Sequence, residues 1–304
     1  MRLYSHPDCV SHQTPEGHPE RPDRLAFLLA HLEQTGFTQD HPVREALPIE
    51  DERVHQAHHP GLLERLRQSN PVEGLTPLDP DTWMGPSSMA AAMQAAGSVW
   101  QGVNDVVAGD VMRVFCAVRP PGHHAEFDSP MGFCLLNSVA IAAINALKLP
   151  GIDRVAILDF DVHHGNGTVD LCHQYPEILV CSSFQHPHYP HRLHDVVAPN
   201  IVNTPLVAGA SGDDFRRAIS GSWWQAVEAH KPDLILISAG FDAHRDDPLA
   251  HLHLDEADFA WVTQEITALA EQFSQGRIVS TLEGGYDLQA LAGSTLAHLE
   301  VLAA

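Results

Sequence analysis

Arg154-Val-Ala-Ile-Leu-Asp-Phe-Asp-Val-His-His-Gly-Asn-Gly167 is the stretch whose reading decides the fold. Its first five residues, Arg154 to Leu158, are a short apolar run of strand length and predict a buried strand. That strand runs out into Asp159, Asp161, His163 and His164 before two glycines turn the chain. Alternate side chains of an extended chain share a face, so Asp159, Asp161 and His163 are expected to project together towards one centre. Carboxylates placed directly after an apolar strand are costly unless paired or bound to a cation, so this strand end predicts a divalent metal site.

Working outward, two further strand ends have the same character. Val111 to Val118 reads as a strand that feeds Arg119-Pro-Pro-Gly-His-His-Ala-Glu126, a rigid turn bearing adjacent histidines. Asp233 to Ala239 reads as a strand that feeds Gly240-Phe-Asp-Ala-His244. Asp242 completes an Asp161, His163, Asp242 ligand set that leaves room for water and substrate, as a catalytic zinc requires. Arg277 to Leu282 reads as the last clear strand, and Glu283-Gly-Gly-Tyr-Asp287 ends it with paired glycines beside a single phenol. Strands alternating with helical segments, with polar clusters at their ends, predict an α/β fold whose ligands sit at the carboxyl ends of a parallel sheet.

Helices are expected over about Pro22 to Gln34, Pro60 to Arg67, Leu135 to Leu147, Asp213 to His230 and Leu254 to Phe273, and a further strand over Ile178 to Ser183. On general grounds Arg21 and Arg24 read as surface cations. Phe184-Gln-His-Pro-His-Tyr-Pro-His191 reads as a loop; the irregular spacing of His186, His188, His191 and His194 favours a pocket rim over a second metal site.

A chain of 304 residues without a low-complexity linker can bury one large core, and residues 1–304 are expected to form one domain. The formal net charge of -22, from 39 acids against 17 bases, argues against unassisted binding to nucleic acid or an anionic membrane. Five widely spaced cysteines without any Cys-x-x-Cys read as reduced core residues. The amino terminus lacks an apolar stretch of signal-peptide length, which predicts a cytoplasmic protein. The uncharged segments Thr82 to Asn104 and Ser129 to Leu147 are rich in small and polar residues and read as buried parts of an α/β core, not membrane spans.

Arg119-Pro-Pro-Gly-His-His-Ala-Glu126, Asp159-Phe-Asp-Val-His-His-Gly-Asn-Gly167, Gly240-Phe-Asp-Ala243 and Glu283-Gly-Gly-Tyr286, with His18-Pro-Glu-Arg-Pro22 and Met131-Gly-Phe-Cys-Leu-Leu-Asn137, resemble in content and order the segments of the zinc-dependent histone deacetylase family. The likeness is to its class II branch and bacterial relatives and spans nearly the whole chain. It implies the arginase/deacetylase fold, an α/β domain with a central parallel sheet flanked by helices on both faces. It assigns one catalytic zinc to Asp161, His163 and Asp242, the catalytic histidine pair to His123 and His124, and transition-state donation to Tyr286. Asp159 is expected to orient His123. Asn166, which stands where class I relatives carry an aspartate, is expected to hold His124. A structural potassium ion is implied at Asp159, Asp161, His163 and Ser182. Gly132 and Phe133 are expected to line one wall of an acyl-lysine tunnel, and Tyr189 the other.

Leu249 lies seven residues after the third metal ligand, where polyamine-selective relatives carry an acidic residue. The resemblance therefore implies deacetylation of acetyl-lysine in proteins or peptides, with an acetylated small amine as the alternative substrate. Asp79 or Asp81 is expected to supply a rim carboxylate, and assembly state, including a homo-oligomer, is left open. A manganese hydrolase of the arginase type shares the fold, but Asp161-Val-His-His-Gly165 lacks its Asp-x-His-x-Asp spacing. A catalytically silent binding module is expected to have lost a ligand, a histidine or the tyrosine, and none is missing.

Overall fold

The computed structural model describes residues 1–304. Ten strands form two sheets: β1 (Arg2–Tyr4), β2 (Val43–Arg44), β3 (Thr76–Pro77), β4 (Trp83–Met84), β5 (Arg113–Cys116), β6 (Val155–Asp159), β7 (Ile178–Gln185), β8 (Ile201–Leu206), β9 (Leu234–Ala239) and β10 (Ile278–Leu282). Eight of them make the central sheet in the order β2-β1-β5-β10-β9-β6-β7-β8, and every pairing in it is parallel. β3 and β4 form a separate antiparallel pair.

The central strands are rich in β-branched and aliphatic residues because helices cover both faces, and β6, β7, β9 and β10 are buried throughout. A contiguous apolar cluster of 76 buried residues runs from Leu3 to Leu302 and ties the helices to the sheet. All five cysteines are free and buried, as their apolar settings suggest. No helix is long and apolar enough to cross a membrane.

The predicted elements fall in place with adjusted ends. The strand read from Val111 to Val118 narrows to β5, because Asp110 to Met112 and the Pro120-Pro121 turn flank it. The helix read from Leu135 begins at Ser138, since Asn137 caps it by accepting a hydrogen bond from the Ala140 N–H. The helix read from Leu254 begins at Glu256, where Asp255 and Asp258 form a capping box. Among the elements without a counterpart in the sequence reading are β1, β8, and the helices Asn166–Cys172 and Leu288–Ala303. β8 carries Asn203 and Pro205, and proline within a run is tolerated on an edge strand, which is where β8 lies.

Candidate active site

Five neighbouring strands of the sheet, β5, β10, β9, β6 and β7, each deliver one segment to the same carboxyl edge. The deepest element is the convergence of Asp161, His163 and Asp242. Their ligand atoms all lie within 4.8 Å of one another, and all three residues are buried. Asp161 Oδ1 accepts from the His163 N–H at 2.9 Å, and Oδ2 from the Gly284 N–H at 2.8 Å. Asp242 Oδ1 accepts from the Val162 N–H at 2.9 Å. These backbone donors fix both carboxylates, so their remaining lone pairs face inward.

Asp242 Oδ2 is buried without a hydrogen-bond partner, 3.2 Å from His163 Nδ1. A buried carboxylate oxygen with no donor asks for a cation. The electrostatics agree. Burial opposes charge on His163, but the Asp161 carboxylate, which accepts its hydrogen bond, and the nearby charge of Asp242 outweigh it and push its pKa up to about 10. The two carboxylates that hold a proton so firmly can hold a divalent metal in its place. Two carboxylates and one imidazole suit zinc with a position left open. Gly284 makes the cradle possible, because a Cβ there would sit 2.0 Å from Asp242 Oδ2.

The paired histidines stand beside this centre with different partners. His123 Nδ1 lies 2.9 Å from Asp159 Oδ2, and His124 Nδ1 lies 2.6 Å from Asn166 Oδ1. Burial lowers both imidazoles, but the charges of Asp161 and Asp159 carry His123 well above the ordinary histidine range. His124 goes well below it, by burial and by the neighbouring charges of His123 and His163. A site whose two histidines are driven apart in this way can hold one as a base while the other is protonated. Gly132, at φ +57°, lets the chain pass over the second ring: a Cβ there would lie 2.4 Å from His124 Cδ2.

Tyr286 completes the constellation from the end of β10. Burial keeps its phenol protonated, with a pKa well above the ordinary value. Its ring packs edge-on against Phe133 at 5.9 Å between centroids. Its backbone N–H donates to Asp247 Oδ2 at 2.7 Å.

A cavity of about 200 Å³ opens from His124, His163 and Tyr286. Gly132, Phe133, Tyr189, His188 and Leu249 form its walls, and Asp81 stands at its edge. Of the two candidate rim carboxylates, Asp81 lines the cavity, while Asp79 Oδ1 accepts from the N–H groups of Asp81 (2.9 Å) and Thr82 (2.6 Å). Of the four loop histidines only His188 lines the cavity, its Nε2–H donating to the Leu249 carbonyl at 3.1 Å and its ring stacking on His163. His164 turns away towards β8 and meets Asn203 Oδ1 at 2.9 Å. Ser182 lies opposite Asp159 in the β6–β7 register.

Arg24 overturns the surface-cation expectation. It is fully buried, and its guanidinium lies 4.7 Å from the centroid of the Tyr286 ring. It donates to the carbonyls of Gly285 (2.5 Å) and Glu283 (2.7 Å) and to Glu20 (3.1 Å), so it shapes the loop that presents the phenol. Arg119 shares Glu20 from the other side. Glu283 is a second residue without an expected role. Its Oε2 accepts from the Gly122 and His123 N–H groups at 2.6 and 3.2 Å, and Ser238 Oγ donates to Oε1 at 3.0 Å. Arginine inside a Glu-Arg-Pro-Asp-Arg run carries no local sign of burial; Arg24 lies four residues after Glu20, a spacing that allowed the pair to be suspected.

Comparison with known proteins places this geometry. A family model described as the histone deacetylase domain matches residues 18–302. The chain is 38% identical over 305 residues to the uncharacterized protein slr0245 of Synechocystis, covering 97% of each. It is 34% identical to the histone deacetylase-like amidohydrolase of Pseudomonas aeruginosa, covering 94% of this chain and 77% of that one. A crystal structure of the HDA15 HD domain superposes with a TM-score of 0.93 at 32% identity, covering 99% of this chain and 87% of that one.

Proposed function

The chain belongs to the histone deacetylase family, and from that premise we propose that it is a zinc-dependent amidohydrolase that removes acetyl groups from lysine side chains in proteins or peptides. The observation that carries this reading is the convergence of Asp161, His163 and Asp242 at the inner end of a cavity that also presents His124 and Tyr286. Zinc, held by those three residues, would supply Lewis acidity to the amide carbonyl and acidity to a water molecule.

The protein's own groups do the rest. Neutral His124 takes a proton from water as its oxygen attacks the acyl carbon. Negative charge develops on the carbonyl oxygen, and the Tyr286 hydroxyl donates a hydrogen bond to it. His123, held protonated between Asp159 and Asp161, keeps the opposite charge beside the reacting group. The C–N bond then breaks as a histidine proton passes to the departing nitrogen. Water has supplied its oxygen to acetate and both of its protons to the amine, which leaves as an ammonium ion, so the residues end as they began. Phe133 and Tyr189 flank the methylenes of the substrate, and Asp81 accepts hydrogen bonds from its backbone. A potassium ion at Asp159, Asp161, His163 and Ser182 would stiffen the floor from behind.

Leu249 on the cavity wall favours a neutral acyl-lysine chain over a charged polyamine. The net charge of -22 favours the second reading, an acetylated small amine. The test is kcat/KM of the zinc-loaded protein on an acetyl-lysine peptide beside acetylputrescine. Preference for the peptide supports the lysine reading; preference for acetylputrescine keeps the chemistry and overturns the substrate. Absence of turnover on both overturns the hydrolase reading.

A further inference from the structure

We propose that Glu126 is a positioning residue that fixes the orientation of the Asn166 amide and, through it, the tautomer of His124. The inference rests on the reading of His124 as the general base. Asn166 Oδ1 lies 2.6 Å from His124 Nδ1, and Asn166 Nδ2 donates to Glu126 Oε1 at 2.7 Å. Arg192 grips both oxygens of the same carboxylate, Nε at 2.9 Å and Nη2 at 2.7 Å. Glu126 and Asn166 are buried, whereas the Arg192 side chain is half exposed on the loop that also carries Tyr189.

The two catalytic histidines pose different problems. Asp159, which meets His123, is a carboxylate and presents an acceptor whichever way it turns. An amide presents an acceptor at one end and donors at the other. With its oxygen towards His124, Nδ1 must carry the proton and Nε2 keeps its lone pair for the reacting water. Turned over, Asn166 would donate to Nδ1, the ring proton would move to Nε2, and the base would be lost. Glu126 removes the choice: its carboxylate accepts only, so the amide nitrogen must face it and the amide oxygen must face His124. The Arg192 charge compensates the buried carboxylate and ties this lock to the loop bearing Tyr189.

The experiment compares zinc-loaded wild type with Glu126→Gln, Asn166→Asp and the double variant on an acetyl-lysine peptide. Glu126→Gln is expected to lower kcat by about 10- to 100-fold with KM and zinc content unchanged, because a primary amide can face either end of Asn166. Asn166→Asp alone is expected to lose activity, since two carboxylates then meet. The double variant is expected to regain most of the lost kcat, because a carboxylate against His124 cannot be misoriented and the new amide can donate to it. A Glu126→Gln variant as fast as wild type, or a double variant no faster than Glu126→Gln, overturns the proposal.

Nitrogen-15 NMR of histidine-labelled, zinc-loaded wild type reads the tautomer without turnover, with His124 assigned by its loss in His124→Asn. A proton on Nδ1 supports the lock, and a proton on Nε2 overturns it. An inactive protein with the proton on Nδ1 breaks the catalytic reading and leaves the lock standing; an active one with the proton on Nε2 does the reverse.

Discussion

The floor and the rim of the cavity are built by different physics. Every residue of the floor, among them Asp159, Asp161, Asp242, His123 and Asn166, is buried and held by at least one hydrogen bond from the strand ends or the turns directly after them. The rim, formed by Asp81, Phe133, His188, Tyr189 and Leu249, is half buried and comes from irregular loops. Rigid strands deliver floor groups to fixed positions, which the chemistry needs. Loops deliver rim groups, which a change of substrate can alter without disturbing the chemistry.

That contrast can be broken by experiment. The largest effect is expected from Asp242→Asn on the floor, which should leave zinc substoichiometric by elemental analysis and turnover undetectable; full zinc occupancy in this variant would remove Asp242 from the ligand set. Tyr286→Phe should keep its zinc and lose roughly 100- to 1,000-fold in kcat, the usual loss for one oxyanion donor; a near-normal kcat would show that the phenol donates to nothing that matters. At the rim the split should reverse. Asp81→Ala should raise KM for a peptide by about tenfold, corresponding to one lost charge-assisted hydrogen bond, with kcat little changed. A collapse of kcat there would merge rim and floor into one unit.

The last contrast is read in stability and concerns what stands behind the floor. Burial holds His58 neutral with its pKa near about 4 and His298 near about 3. Unfolded histidine titrates near about 6.5. Between these values the unfolded chain binds more protons than the folded one, so the stability is intact above about pH 6.5 and is lost as pH falls towards the folded values. Urea unfolding at pH 7 and pH 5 should differ by about 2 kcal/mol for each of these two histidines. In His298→Gln that histidine's share of the difference should disappear. An unchanged pH dependence would mean that His298 is not held neutral by burial.

Much of the floor was legible in the sequence because its residues occupy short segments directly after apolar runs. Asp159 ends β6, Asp161 and His163 follow it, Asp242 follows β9, and side-chain atoms of Asp161, His163 and Asp242 lie together. The rim was less legible. Asp79 and Asp81 both sit in a proline-rich loop, and only the fold shows that Asp81 lines the cavity. Arg24 misled for a related reason. A charged residue near a helix start reads as solvated, and its burial follows from carbonyl acceptors at Glu283 and Gly285, more than 250 positions away.

By itself the sequence determined which groups stand at strand ends and that the sheet is parallel, because local hydrophobic period and turn chemistry are properties of neighbouring residues. Only the tertiary structure decided who meets whom. The strands run β5, β6, β7, β9, β10 along the chain but β5, β10, β9, β6, β7 across the sheet. That crossing order sets His123 against Glu283 and Val162 against Asp242. It also turns Arg24 under Tyr286, and the loop after β7 brings Arg192 to Glu126. Such pairings depend on the sheet order and on how loops fold over it, and no local pattern in the chain encodes either.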